Sequence, residues 1–469
     1  MFRAIFTNSF GILFSRILGF LRDMLQASVL GANIYTDIFI VAFKLPNLFR
    51  RIFAEGAFSQ SFLPSFTHTR HKGVFAARIF VRFLSLLILF ALAVALFAPL
   101  FTKLIAWGFD EETITKAAPL VAINFTYLIL IFIVTFLASL LQYRNHFATT
   151  AFATALLNIA LITALLLSKG ATPEVIVYHL SYAVVVGGLL QVGIHLFVVQ
   201  KVGLHRLLLG GLKHYRTKKG AIREEERRFR SNFIASVVGS STAQISAFLD
   251  GWLASFLVSG SISYLYYANR IFQFPLALFA IATSVAIFPR VTRYLKNGNE
   301  SEALAMLTKS FWFLAALLFS ATITGIIFSR EIVWLLYERG AFLPHDTEET
   351  ALVLSMYLIG LIPFGLAKIF SLWLYANHRQ QEAAKISGSA LGINILLSLL
   401  LIQPLGAAGL ALASSLSGVV LLILTLRAFG KNRFYAIIRS KYTLWIISGA
   451  WLLAIILLQI KELFSAYLQ

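Results

Sequence analysis

The sequence predicts an all-α, polytopic membrane protein. Of its 469 residues, 59% are hydrophobic and 13% are charged, whereas about 25% of the residues in a soluble protein are charged. Apolar runs recur along the whole chain, and at about 20 residues each is long enough to cross ~30 Å of hydrocarbon as a helix. The alternating segments of about 10 residues that build a membrane β-barrel are absent. The spans are therefore expected to be helices.

The hydropathy pattern predicts about thirteen of these helices. Their approximate bounds are 4–31, 34–66, 79–107, 117–142, 148–168, 174–200, 231–258, 262–290, 304–328, 348–376, 384–402, 405–428 and 441–461. The first segment has no short apolar core followed by a cleavage site, so it is expected to remain as a membrane helix. Pro46 and Pro275 lie inside predicted helices, where the missing N–H permits a bend.

The charge distribution predicts the orientation. Lys and Arg outnumber Asp and Glu by 40 to 20, and most of them lie in loops on alternate sides of the spans. These loops are 70–78, 201–230, 290–296 and 427–441. This positive-inside pattern places the N-terminus in the cytoplasm. It makes anionic membrane lipids, and not nucleic acid, the expected partner of the basic loops.

A weak internal repeat predicts two lobes of six helices each, related by a pseudo-two-fold axis. The matched positions are Asp23 with Asp250, Pro46 with Pro275 and Pro64 with Pro289, each separated by roughly 227 residues. The expected domains are an N-lobe at 1–200, a basic cytoplasmic linker at 201–230, a C-lobe at 231–430 and a C-terminal segment at 431–469 with helix 13.

Polar stripes on four helices predict a central cationic cavity between the lobes. One arginine at the bilayer centre costs roughly 3 kcal/mol, so several must face water or an anion. Helix 1 carries Ser9, Arg16, Gly19, Asp23 and Gln26 on one face, and helix 2 carries Asp37, Lys44, Asn47, Arg51, Glu55 and Ser59. Helix 7 carries Ser236, Ser240 and Gln244, and helix 8 carries Ser263, Arg270, Gln273 and Ser284.

Some of these charges have structural alternatives. Arg50 and Arg51 could extend to the cytoplasmic interface, and Arg16 and Asp23 could form an ion pair. Ser236 could be a small residue at a helix interface. Arg270 lies near the middle of its helix with no carboxylate within a turn, which favours a functional role.

Several chemistries are excluded. The chain has no cysteine, and its histidines lack metal-ligand spacing, so no cofactor or metal is expected. No phosphate-binding loop of an ATPase is present. Guanidinium groups suit diphosphate oxygens, so the cargo is expected to be anionic and its outward movement is favoured by an inside-negative potential.

Five segments resemble a known family. They are 15–23 (SRILGFLRD), 43–60 (FKLPNLFRRIFAEGAFSQ), 259–263 (SGSIS), 266–270 (YYANR) and 274–275 (FP). They resemble the signature of the MurJ (MviN) family of bacterial lipid II flippases, within the multidrug/oligosaccharidyl-lipid/polysaccharide exporter superfamily. The resemblance covers roughly residues 3–430.

This resemblance implies a transporter, and not an enzyme, that turns lipid II from the inner to the outer leaflet by alternating access. Lipid II is the undecaprenyl-diphosphate-linked precursor of peptidoglycan. The implied substrate-binding residues are Arg16, Arg22, Asn47, Arg50, Ser263 and Arg270. Asp37 and Glu55 are implied to form ion pairs that make or break as the lobes move. From its place on the polar stripe of helix 1, Asp23 is expected to take part in gating or in an ion pair. A monomer in the bacterial inner membrane is expected, with cell-wall synthesis proteins as possible partners.

The sequence also departs from the family and leaves alternatives open. Asn269 stands where the family often has an acidic residue, and one helix follows the second lobe where many members have two. How the prenyl tail is held, and which ion is coupled, stay open. The alternatives are a flippase for another polyprenyl-diphosphate-linked oligosaccharide, a drug exporter, an intramembrane enzyme and a non-transporting scaffold.

Overall fold

The computed structural model describes residues 2–52, 57–215, 217, 220–440 and 442–467. Throughout these residues the regular secondary structure is helical, which confirms the predicted all-α fold class. The chain divides into two compact units, residues 1–260 and residues 261–469. The first unit therefore contains the helix at 231–258, which the sequence repeat assigns to the second lobe.

In its described residues, the first unit contains ten α-helices. They are α1 (Phe2–Leu30), α2 (Ile34–Ile52), α3 (Phe58–His68), α4 (Lys72–Leu96), α5 (Ala98–Ile105), α6 (Glu111–Tyr143), α7 (Ala148–Leu167), α8 (Pro173–Lys201), α9 (Leu204–Lys213) and α10 (Arg223–Ala254). Local chemistry defines several of the helix starts. The Asp110 carboxylate accepts a hydrogen bond from the Thr113 N–H at the start of α6, and Pro173 opens α8, where a missing N–H costs nothing.

The described part of the second unit contains nine α-helices. They are α11 (Ser261–Pro275), α12 (Ala282–Lys296), α13 (Glu300–Ile327), α14 (Ser329–Tyr337), α15 (Pro344–Ile359), α16 (Leu361–Ala376), α17 (Gln380–Phe429), α18 (Lys431–Ile438) and α19 (Tyr442–Tyr467). A π-helical segment, Leu276–Ile281, joins α11 to α12 directly after Pro275. The two spans predicted at 384–402 and 405–428 correspond to the two helices of α17, which meet at a kink at Gly406, where φ is 54°.

Among the described residues, nine helices are long and apolar enough to cross a membrane. One of them is α17, which covers two predicted spans. The remaining predicted spans, on α1, on α2 with α3, and on α10, are also helical in their described parts. The total of thirteen membrane crossings stays a prediction.

A cluster of phenylalanine rings forms the core of the first unit at one end of α10. The Phe229 ring lies 5.7 Å from that of Phe58 on α3 and 5.8 Å from that of Phe83 on α4. One turn before Phe229, Glu226 forms ion pairs with Arg78 at 2.6 Å and Arg82 at 2.9 Å. The end of the predicted linker is therefore the first part of α10, held to α4 by aromatic packing and charge.

The predicted linker also contains helix α9. Helix α9 lies against α4. Gly211 of α9 and Gly73 of α4 approach each other so closely that a Cβ at either position would clash with the backbone of the other helix. Glycine permits this approach because it has no side chain. The boundaries predicted for the lobes and the linker stay a prediction.

The second unit has its own core, in which tyrosine is prominent. Tyr267 on α11 packs against Tyr337 and Phe342, with ring centres 4.9 Å and 5.6 Å apart. The Tyr264 hydroxyl donates to the buried carboxylate of Asp346 at 3.2 Å, and that carboxylate also accepts from the Leu343 N–H at 2.9 Å. These contacts fix α11 against α14 and α15.

Candidate functional site

Arg22 and Asp23 form a buried ion pair on α1. The Arg22 Nη2 lies 2.6 Å from the Asp23 Oδ1, and the exposed fractions of the two residues are 9% and 1%. Asn158 on α7 accepts a hydrogen bond from the Arg22 Nη1 at 3.1 Å and donates to the Ser15 carbonyl at 3.0 Å. The guanidinium is therefore held in one place by a charge and an amide.

Arg16 lies on the same helix but is exposed. An exposed guanidinium in an apolar helix must face water or an anion to avoid the cost of burial in hydrocarbon. Two other predicted site residues cannot be placed: the side chain of Arg50 and the whole of Glu55 lie outside the described residues.

Asp37 joins α2 to the loop that ends the first unit. Its Oδ2 accepts a hydrogen bond of 2.7 Å from the Gly260 N–H, and its side chain is buried. Gly260 has φ of +93°, a backbone conformation that glycine adopts without strain. The SGSIS segment therefore contributes a backbone donor to Asp37 at this point.

Lys44 links α2 to α10 within the first unit. Its ammonium donates to the Phe248 carbonyl at 2.9 Å and lies 5.3 Å from the centre of the Phe248 ring. Asp250 attracts the same ammonium, and Gly251 leaves the space that it occupies. Lys44 thus has a defined place between two helices, and the aspartate that attracts it is the one matched with Asp23 in the sequence repeat.

The candidate site residues of the second unit lie on α11. Ser263 is fully buried and Arg270 is half-buried. The Arg270 Nη2 lies 3.1 Å from the Tyr266 hydroxyl, and its guanidinium lies 5.0 Å from the centre of the Tyr266 ring. Tyr266 therefore supports the charge with neutral contacts, a hydroxyl and an aromatic face.

The remaining polar positions vary in their surroundings. Asn47 is half-buried on α2. Ser236 on α10 has its hydroxyl 3.4 Å from that of Ser61 on α3, and the side chains of Ser240 and Gln244 lie outside the described residues. In the part of the chain that the structure describes, no group of three or more His, Asp or Glu side chains could hold a metal ion.

Sequence reasoning missed Asn158, which positions Arg22. A signal was present, because Asn158 is a lone amide within the apolar run of α7. A buried amide needs hydrogen-bond partners, so its presence in such a helix indicates a polar group on a neighbouring helix. The sequence does not identify which group that is.

Outside the spans, Asp110 caps the start of α6. The hydrogen bond from Thr113 lowers the pKa of the Asp110 carboxyl below its ordinary value, because it stabilises the charged form. This carboxylate has a capping role at the start of α6.

Relatives of the chain share one family description. The family model described as "Lipid II flippase MurJ" matches residues 26–469. A "Probable lipid II flippase MurJ" of Helicobacter pylori (strain ATCC 700392 / 26695) is 51% identical over 424 residues, covering 89% of this chain and 92% of the relative. The "Lipid II flippase MurJ" of Burkholderia cenocepacia is 31% identical over 441 residues, covering 92% of this chain and 84% of the relative.

Solved structures support the fold. The structure titled "Lipid II flippase MurJ, inward closed conformation" matches with a TM-score of 0.77 at 23% identity, covering 98% of this chain and 99% of the other. An inward-facing transporter of the multidrug resistance MATE family, in the MOP superfamily, matches with a TM-score of 0.65 at 11% identity, covering 93% and 99%. Since the family model and relatives above 30% identity each cover most of the sequence, the chain belongs to the MurJ family of lipid II flippases.

Proposed function

We propose that this protein turns lipid II from the inner to the outer leaflet of the bacterial inner membrane. The observation that carries the proposal is the family match over residues 26–469, which includes Asp37, Lys44 and Arg270. The apolar helices suit a multi-pass protein of that membrane. The N-terminus is placed in the cytoplasm on the basis of the basic loops.

In this proposal, cationic and polar side chains bind the diphosphate of the cargo. Arginine suits this task because its planar fork donates two parallel hydrogen bonds to phosphate oxygens. The proposed contacts are Arg16, Arg22, Asn47, Arg50, Ser263 and Arg270. Asp23 and Asn158 already orient the Arg22 guanidinium. Its side chain therefore loses little conformational freedom when the cargo binds.

The acidic residues take a different part, because they would repel an anionic cargo. Asp37 and Glu55 are proposed to form contacts that change as the protein alternates between inward and outward access. The hydrogen bond between Asp37 and Gly260 is one such contact. The protein is proposed to act as a monomer and to catalyse no covalent step, with cell-wall synthesis proteins as its proposed protein partners.

The test measures lipid II in the outer leaflet of cells depleted of this protein, using an externally added enzyme that cannot cross the membrane. Depletion is expected to abolish labelling, and the wild-type chain, but not Arg270→Ala, is expected to restore it. If labelling persists while lipid II is still synthesised, another protein moves lipid II. The cargo of this chain would then be a different polyprenyl-diphosphate-linked oligosaccharide.

A further inference from the structure

Helix α9 connects the ends of two membrane spans. Helix α8, which is long and apolar enough to cross a membrane, ends at Lys201, and α9 begins at Leu204. Between them Gly203 has φ of +79°, a conformation that lets the chain turn away from the axis of α8. The last turn of α9 then meets Gly73 in the first turn of α4, which is another span. Because both of these points lie at a span end, α9 runs along the membrane surface.

Contacts within the first unit fix the orientation of α9 about its own axis. Leu204 and Gly211 are buried on the face that packs against α4 and α8. Directly after the helix, the Tyr215 carbonyl accepts a hydrogen bond of 3.2 Å from the Arg78 Nη1. The guanidinium of Arg78 also lies 5.1 Å from the centre of the Tyr215 ring. Since both ends of α9 are held, its opposite face points away from the protein.

This outward face of α9 is apolar along one edge and cationic along the next. Leu209 and Leu212 are 63% and 47% exposed, although contact of leucine with water is unfavourable. Arg206 and Lys213 are exposed two turns apart, which places them on one side of the helix, next to Leu209. A helix with this arrangement lies in the membrane interface, with its apolar edge among the lipid headgroups and its cations beside the phosphates.

The charge around α9 favours an anionic surface. Residues 200–222 contain six Lys and Arg residues and no Asp or Glu. Glu226, which follows this segment, forms ion pairs with Arg78 and Arg82 of α4. The segment therefore carries a strong positive charge close to a membrane surface, and anionic phospholipid headgroups complement it.

We propose that α9 is an in-plane anchor that binds anionic phospholipids of the cytoplasmic leaflet. Arg206 and Lys213 contact the lipid phosphates, and Leu209 and Leu212 enter the adjoining part of the acyl layer. The expectation that basic loops meet anionic lipids rests on charge alone, whereas the structure adds an apolar edge in a fixed orientation. The anchor holds the start of α4 at the membrane surface, because α9 packs directly against it. The inference does not depend on the cargo of the transporter.

The experiment uses the full-length protein in proteoliposomes. Since the chain has no cysteine, Leu209→Cys provides a single labelling site for a fluorophore. Gly210→Cys is the matched control, because this neighbouring position is exposed on the side of the helix away from Leu212 and a Cβ there meets nothing within 4 Å. Lipids with a nitroxide quencher near the top of the acyl chain are included in phosphatidylcholine vesicles that contain increasing fractions of phosphatidylglycerol.

The label of Leu209→Cys is expected to be quenched at least about twice as strongly as that of Gly210→Cys, and its quenching should increase with the fraction of phosphatidylglycerol. Adding Arg206→Gln and Lys213→Gln to Leu209→Cys is expected to remove this dependence on phosphatidylglycerol. Lys169→Gln, which removes an exposed lysine from the loop at the other end of α8, is expected to leave it unchanged.

Equal quenching of the two labels would overturn the inference, as would quenching of the Leu209→Cys label that is independent of phosphatidylglycerol. A label that escapes the nitroxide but becomes protected as the ratio of protein to lipid rises would also overturn it, because a second copy of the chain would then cover the leucines. Size-exclusion chromatography verifies that each variant is folded. No lipid II is present in the vesicles, so none of these outcomes bears on the proposed function.

Discussion

Arg22 in the first unit and Arg270 in the second show two ways of holding an arginine in a membrane protein. Arg22 is almost completely buried against the carboxylate of Asp23 and the amide of Asn158. Arg270 is half-buried and supported by the ring and hydroxyl of Tyr266. Removing one partner of a buried ion pair leaves an uncompensated charge away from water, whereas a half-buried guanidinium remains accessible to an anion. Arg22 is therefore expected to matter more for stability, and Arg270 more for anion binding.

Arg22→Gln is expected to have the largest effect on stability. The substitution leaves the Asp23 carboxylate buried without its cation, which costs about 3 kcal/mol of unfolding free energy. Chemical unfolding of the detergent-solubilised protein measures the loss. The double variant Arg22→Gln/Asp23→Asn removes both charges and is expected to recover most of it. A single variant as stable as wild type would break the comparison, because Arg22 would then contribute no more to stability than Arg270.

Arg270→Gln is expected to have the opposite profile. Lipid II binding should weaken at least tenfold, as loss of a charge-assisted hydrogen bond predicts, while the unfolding free energy changes by less than about 1 kcal/mol. Equilibrium titration and unfolding of the same preparation measure the two quantities. Arg270→Lys keeps the charge without the planar fork, so its lipid II affinity is expected to lie between those of wild type and Arg270→Gln. Equal loss of stability in Arg22→Gln and Arg270→Gln would contradict the assignment of different roles.

Asp37→Asn tests a buried carboxylate that accepts a hydrogen bond from a backbone N–H. An asparagine oxygen can still accept from the Gly260 N–H, but a neutral acceptor forms a weaker bond. The expected loss of unfolding free energy is about 1 kcal/mol, smaller than for Arg22→Gln. Unfolding at constant pH measures it. A loss as large as that of Arg22→Gln would show that the backbone contact is as important as the ion pair.

Asp110→Asn provides an exposed counterpart of the buried Asp23 and the smallest expected effect. Because the pKa of Asp110 is lowered in the folded protein, its carboxylate stabilises the fold above the ordinary carboxyl pKa, and this contribution is lost as the pH falls through the folded value. Asparagine caps a helix equally well and does not titrate. Melting temperatures at pH 6 and pH 3 should therefore depend slightly less on pH in the variant than in wild type. A greater pH dependence in the variant would reverse the expected sign.

The sequence identifies both arginines as candidate site residues, but it does not identify which residues pair with each other. The pattern of charges in apolar helices and the family motifs predict both as site residues, because intramembrane charge is conspicuous in sequence. For the adjacent Asp23 the sequence suggests an ion pair with Arg16, whereas the structure pairs it with Arg22. Spacing along one helix suggests which residues could pair, but the rotamers of the side chains and the contacts with the neighbouring helix decide which atoms meet.

By itself, the sequence determined the helical membrane class, the positions of most helices and the family, because hydrophobic length and local motifs are properties of short segments. The tertiary structure decided which side chains share an environment. It places Asn158 against Arg22 and the Gly260 N–H against Asp37. These relations depend on packing between helices far apart in the chain. Hydropathy and spacing do not encode them, because apolar helices can pack together in many registers with similar burial.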